Sequence, residues 1–85
     1  MSAYVDRLVR YGWKWGPSCH LIADSLEELH AWAARLGMKR AWFQPASSPH
    51  YDLTASRRES AVRLGAIELD RAGFVVKLRQ LRGGS

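Results

Sequence analysis

Two four-residue segments, Ala34–Arg35–Leu36–Gly37 and Val62–Arg63–Leu64–Gly65, do most to limit what this 85-residue chain can fold into. Each closes a stretch of helical spacing on a glycine, and each is followed by an apolar run. Glycine just past a helix supplies the left-handed backbone that ends the last turn, so both segments mark helix ends. A unit of strand, helix, glycine and strand is therefore present twice, sharing a strand near 41–44. Strands alternating with helices imply strand–helix–strand units with right-handed crossovers. The expected fold class is α/β: one small domain with a short, mostly parallel sheet of about three or four strands and two or three helices.

The rest of the chain fits around these units. Ala3–Tyr4–Val5 and His20–Leu21–Ile22–Ala23 are short apolar runs with strand character. Between them, Tyr11–Gly12–Trp13–Lys14–Trp15–Gly16–Pro17 is a loop punctuated by glycine and proline. Leu26, Leu29, Ala33 and Leu36 recur at helical spacing and predict a helix over 25–36, with Asp24 as N-cap of the pattern Asp24–Ser25–Leu26–Glu27. Arg40–Gln44 reads as the shared strand, and Pro45–Pro49 as a loop that delivers His50. A second helix is expected over 55–64, capped by Ser56 or Thr54, and Ala66–Leu69 as a further strand. Asp70 then caps a third helix with a stripe of Phe74, Val75, Leu78 and Leu81. The domain is expected to span 1–82, with a flexible tail at 83–85.

A chain this short has room for one modest core. Its 47% hydrophobic content and mean hydropathy of −0.28 indicate a folded, water-soluble protein. No apolar run approaches the roughly 18 residues of a membrane span, and the first residues lack the layout of a signal peptide. Cys19 stands alone, so no internal disulfide is possible and a cytoplasmic location is expected. The net charge is +5, and residues 57–85 hold seven bases against three acids. Such a balance favours anionic partners: nucleotides, other phosphate-bearing ligands or nucleic acid, and no membrane. The exposed edges of so small a sheet also offer a route to a homodimer.

The chemistry-bearing residues concentrate in Pro49–His50–Tyr51–Asp52–Leu53–Thr54 and the following Ser56–Arg57–Arg58–Glu59. Arg57 and Arg58 fall in the first turn of the second helix, where amide donors and two cations together can bind an anion. In a parallel sheet, ligands sit beyond the carboxyl ends of the strands. Asp6, Asp24, His50, Tyr51 and Asp52 would gather there, while His20 lies at the entering end of its strand. Three readings follow. The favoured one is binding of a phosphate-bearing ligand by Arg57 and Arg58, with Trp13 or Trp15 stacking on a ring. The second is a hydrolase with His50 as general acid or base, and Asp52, Asp24 or Asp6 orienting it or holding a divalent metal. The third is a non-enzymatic module whose basic C-terminal helix, with Arg71, Lys77, Arg79 and Arg82, binds nucleic acid or protein. Neither a Cys-x-x-Cys nor a His-x-x-x-His pair is present, so no structural zinc site is expected. No cofactor is assigned.

Several motifs in order carry a resemblance: Tyr4–Val5–Asp6, His20–Leu21–Ile22–Ala23–Asp24, Glu28–Leu29–His30 with Leu36–Gly37, Trp42–Phe43–Gln44, His50–Tyr51–Asp52–Leu53, Arg57–Arg58 and Gly65–Ala66. Over about residues 4–69 the chain resembles a small bacterial and phage family catalogued as a domain of unknown function, number 4031. The resemblance implies a compact single-domain protein and supplies no activity. It implies that the family's polar pattern falls on Asp6, His20, Asp24, His30, His50, Tyr51, Asp52 and Arg58, and that the basic segment after Asp70 is peculiar to this chain.

Overall fold

Alternation along the strands decides which face of the sheet each helix covers. The computed structural model describes residues 2–10, 12, 16–45 and 48–83. It contains strands β1 (Ala3–Val5), β2 (Ser18–Ala23), β3 (Tyr51–Thr54) and β4 (Ile67–Glu68), joined in the order β3-β2-β1-β4. Helices α1 (Leu26–Arg35), α2 (Ala55–Arg63) and α3 (Arg71–Gly83) complete the domain. Ala3, Val5, Cys19, Leu21, Ala23, Tyr51 and Leu53 form one apolar face, against which Leu29, Trp32 and Ala33 of α1 and Ala61 of α2 are buried. Alternate residues point the other way, as a period of two requires. There Tyr4 and Ile22 meet Phe74, Leu78 and Leu81 of α3.

The expected α/β fold is present, but the sheet is mixed, and most of its pairing is antiparallel. β1 pairs with β2 antiparallel (Val5 opposite Leu21), and β2 pairs with β3 antiparallel (His20 opposite Asp52). Only β1 and β4 pair in parallel. The cause lies in the connections: among the described residues no helix separates β1 from β2, and the link between them returns the chain antiparallel. Val9 and Ser18 extend that pairing through two backbone hydrogen bonds of 2.9 and 3.0 Å. Even so, β1, β3 and β4 run in one direction, so the unit β3–α2–β4 keeps the expected parallel sense.

Both glycine-ended segments close their helices in the same way. Gly37 (φ 74°) and Gly65 (φ 108°) adopt the left-handed conformation. At α1, Gly37 N–H donates to Ala34 O and Met38 N–H to Ala33 O; at α2, Gly65 N–H donates to Val62 O and Ala66 N–H to Ala61 O. These are two Schellman motifs.

Two expectations are corrected. Asp24 is not the cap of α1: its side chain accepts from Tyr4 Oη at 2.9 Å, and Asp24 N–H continues the strand ladder to Ser2 O. Ser25 caps instead, accepting from Glu28 N–H and donating to the Glu28 carboxylate, so the capping box is shifted by one residue. Arg40–Gln44 is not a shared strand. Arg40–Trp42 is one 3₁₀ turn, and Gln44 alone bridges to His50. Of the two caps expected for α2, Thr54 is the one used, its hydroxyl accepting from Arg57 N–H. The other elements stand close to expectation: Asp70 caps α3 through Gly73 N–H at 2.7 Å, and α3 runs to Gly83.

Candidate functional site

Asp6, His20, Asp52 and His50 meet on the face of the sheet that α3 covers only in part. Asp6 follows Val5, the partner of Leu21, so the register sets Asp6 beside His20; His20 in turn stands opposite Asp52. The three form a row across β1, β2 and β3, and His50 precedes Asp52 by two residues on the same side. Phe74 of α3 reaches the edge of this row, its ring 6.1 Å from that of His20. The site therefore lies on a sheet face and not in a crevice beyond the strand ends. His20, expected at the margin, is at its centre.

Each imidazole is held through Nδ1. The Asp6 carboxylate accepts from both His20 N–H and His20 Nδ1–H, each at 2.7 Å. His50 Nδ1–H donates to Ser48 O at 2.7 Å. With Nδ1 carrying the proton, the neutral rings offer their lone pairs at Nε2. Those two Nε2 atoms lie 3.9 Å (His20) and 3.6 Å (His50) from Asp52 Oδ1. Asp52 Oδ2 is fixed separately by Gln44 Nε2 at 2.6 Å. The hydrogen bond His20 donates to Asp6 raises the His20 pKa above the ordinary histidine value, opposed by burial and helped by the charges of Asp6 and Asp52.

His20 and His50 open onto a cleft of about 640 Å³ between the sheet and α3. Ile22, Phe74, Val75 and Leu78 give it an apolar wall, and Arg7 and Arg71 bring cations to it. A second hollow, of about 730 Å³, lies along the β3 edge and includes Trp42, Phe43, Asp52 and Arg57. Asp52 lines that hollow while its Oδ1 faces the imidazoles of the first.

The remaining expected residues stand apart from this cluster. Asp24 is four residues along β2 from His20, a distance of about 13 Å at the usual strand rise. Arg57 donates from Nε to Leu36 O and stacks over Trp42 at 5.4 Å, tying α2 to the end of α1. Arg58 donates from Nε to Asp6 O at 2.9 Å and pairs with Glu68 at 3.0 Å. It pins the ends of β1 and β4 beneath the cluster. Tyr51 is buried on the opposite face, its Oη hydrogen-bonded to His30 Nδ1 at 2.8 Å. Burial and the nearby Arg40 lower the His30 pKa. Trp13 and Trp15 lie outside the described residues. Arg7, Arg71 and Phe74 belong to the cleft but were not assigned to it from sequence; period-two alternation from His20 to Ile22, with the Phe74 stripe of α3, was the available signal.

Fold and site together define a small α/β domain bearing a histidine–aspartate cluster on a half-open sheet face. The chain belongs to the family described as "Protein of unknown function (DUF4031)", whose model matches residues 3–81. No curated protein and no solved structure matches it. The family match takes in α3 as far as residue 81, so the segment after Asp70 is not peculiar to this chain; α3 covers Tyr4 and Ile22, which would otherwise face water. Among the described residues, no helix is long and apolar enough to cross a membrane.

Proposed function

We propose that this protein binds a phosphate-bearing ligand, a nucleotide or a short piece of nucleic acid, in the cleft between α3 and the sheet. The observation that carries the reading is the composition of that cleft: Arg7 and Arg71 flank a floor of imidazoles and an apolar wall headed by Phe74. The cations suit phosphate oxygens, and the wall suits a base or sugar face. In this reading the anchoring cations are Arg7 and Arg71, because Arg57 and Arg58 are engaged with backbone carbonyls. The setting is cytoplasmic, in keeping with a lone buried thiol.

Convergence of Asp6, His20, His50 and Asp52 favours a second reading, in which the bound phosphoester is hydrolysed. Acid–base groups within reach of one another at a cleft floor are what such a reaction uses.

Thermal shift tests the binding reading. A mononucleotide or short oligonucleotide at about 100 times its dissociation constant adds roughly 2.7 kcal/mol, worth ten degrees or more in so small a domain. The shift should survive moderate salt and vanish in the double variant Arg7→Ala/Arg71→Ala. A wild-type melting point unmoved by every such ligand, or a shift unaffected by the double variant, would contradict it. Shifts with long polyanions only, lost in salt, would point instead to Lys77 and Arg79 on α3.

A further inference from the structure

We infer that His20 Nε2, His50 Nε2 and Asp52 Oδ1 form a binding site for a divalent first-row transition ion, such as zinc, with a coordination position open toward the cleft. The inference goes beyond ligand binding in the cleft and rests on its own geometry.

The three donor atoms all lie within 4.8 Å of one another. Tetrahedral bonds of about 2.1 Å place ligand atoms about 3.4 Å apart. The separations of 3.9 and 3.6 Å to Asp52 Oδ1 stand close to that value, and with all three donors within 4.8 Å of one another they close onto an ion with movements of about an ångström or less. Each donor is also oriented by a second group: His20 by Asp6, His50 by Ser48 O, and Asp52 by Gln44. Metal-binding imidazoles characteristically donate their other N–H to a carboxylate or carbonyl, which fixes the tautomer and raises ligand basicity. Both arrangements occur here, one on each histidine.

The donor set selects the ion. Two imidazoles and one carboxylate suit zinc, cobalt or iron, whereas magnesium and calcium prefer oxygen ligands throughout. Three protein ligands leave room for a water or a phosphoryl oxygen. Charge gives a reason for the ion as well. Asp6 lines the cleft beside Arg7 and Arg71, and Asp52 turns Oδ1 toward its imidazoles, so a divalent cation held there reverses the repulsion an anionic ligand would meet from these two carboxylates.

The sequence shows only half of this site: His50-x-Asp52 is a short spacing, but His20 stands 30 residues before His50, on a separate strand. Only the pairing of His20 with Asp52 unites them.

The experiment uses untagged protein stripped with EDTA and titrated with Co²⁺, then Zn²⁺. One equivalent of Co²⁺ should give visible d–d absorption that one equivalent of Zn²⁺ removes and excess Mg²⁺ does not. His50→Gln and Asp52→Asn should abolish the band. Asp6→Asn, which removes only the orienting carboxylate, should weaken Zn²⁺ binding by about 10- to 100-fold. His30→Gln, on the opposite face, should bind as wild type. Folded wild type without a stoichiometric Co²⁺ band would overturn the inference, as would His50→Gln or Asp52→Asn variants that bind like wild type. Should His50→Gln fail to fold, Asp52→Asn decides, because Asp52 is a partly exposed strand residue. Zinc binding without any nucleotide shift would leave this site standing and remove the ligand reading; the converse result would do the opposite.

Discussion

At the scale of single residues, environment separates groups that look alike in sequence. His20 and His30 are both strand- or helix-borne histidines beside a polar partner, yet their pKa values move in opposite directions. The hydrogen bond to Asp6 favours the protonated form of His20, while burial and Arg40 disfavour that of His30. In metal-free protein, NMR titration should show His20 titrating above and His30 below an ordinary histidine. The linkage signs follow. The His20–Asp6 contact contributes stability that is complete below the unfolded-state pKa and lost as pH rises through the folded one. His30 contributes stability present above its unfolded-state pKa and lost as pH falls through the folded one. Asp6→Asn should bring the His20 pKa down, and an unchanged His20 titration in that variant would contradict the assigned cause. Cys19 behaves as a packed apolar group: burial first, then the charge of Asp6, pushes its thiol up to about 12. It should resist a thiol reagent at neutral pH in the native state and react once guanidinium unfolds the chain.

The elements show which parts of the fold were legible. Both helix ends could be read from Gly37 and Gly65, because only a residue free to adopt positive φ closes a Schellman motif without strain. The start of α1 was misplaced by one residue. Asp24 and Ser25 are both good caps, and the choice was made by Tyr4 Oη, a tertiary partner invisible to local reading. Ser25→Ala should therefore cost about 1 kcal/mol, measured by urea denaturation, with a drop of several degrees in Tm. Strand direction was misjudged where the chain from 6 to 17 carries no helical pattern, a sign of a hairpin between β1 and β2 that outweighs the α/β rhythm elsewhere. The run Arg40–Gln44 was ambiguous by nature, since short apolar stretches carry too few residues to fix a period. α3 has the most exacting role, because one buried ring, Phe74, joins it to Tyr4 and Ile22. Phe74→Ala should cost about 3–5 kcal/mol, a large share of the stability of a domain this small. It should also open the cleft wall, and so weaken nucleotide binding together with the fold.

For the molecule as a whole, the distribution of polar groups between the two sheet faces is the organising fact. The face toward α1 and α2 is largely apolar, its polar groups including the Tyr51–His30 pair and Arg58 beside Cys19, and it supplies the core. The other face is divided: Tyr4 and Ile22 lie under α3, and Asp6, His20 and Asp52 lie beside it. Half of this division could be read in sequence, since His50-x-Asp52 on a strand shares one side and His20 alternates with Leu21. The other half depends on the register of β2 against β3, which the α1 connection sets and no local motif displays. That is why Arg57 and Arg58, adjacent in sequence to the cluster, serve as structural ties, while Arg71, remote in sequence, reaches the cleft.

The most direct test of this account is a ¹H–¹⁵N NMR titration of the full chain with a mononucleotide, mapping which amides move. The account predicts saturable shifts centred on Asp6, Arg7, His20, His50, Arg71 and Phe74. Shifts centred instead on Trp42 and Arg57, or spread only along Lys77 and Arg79, would contradict it.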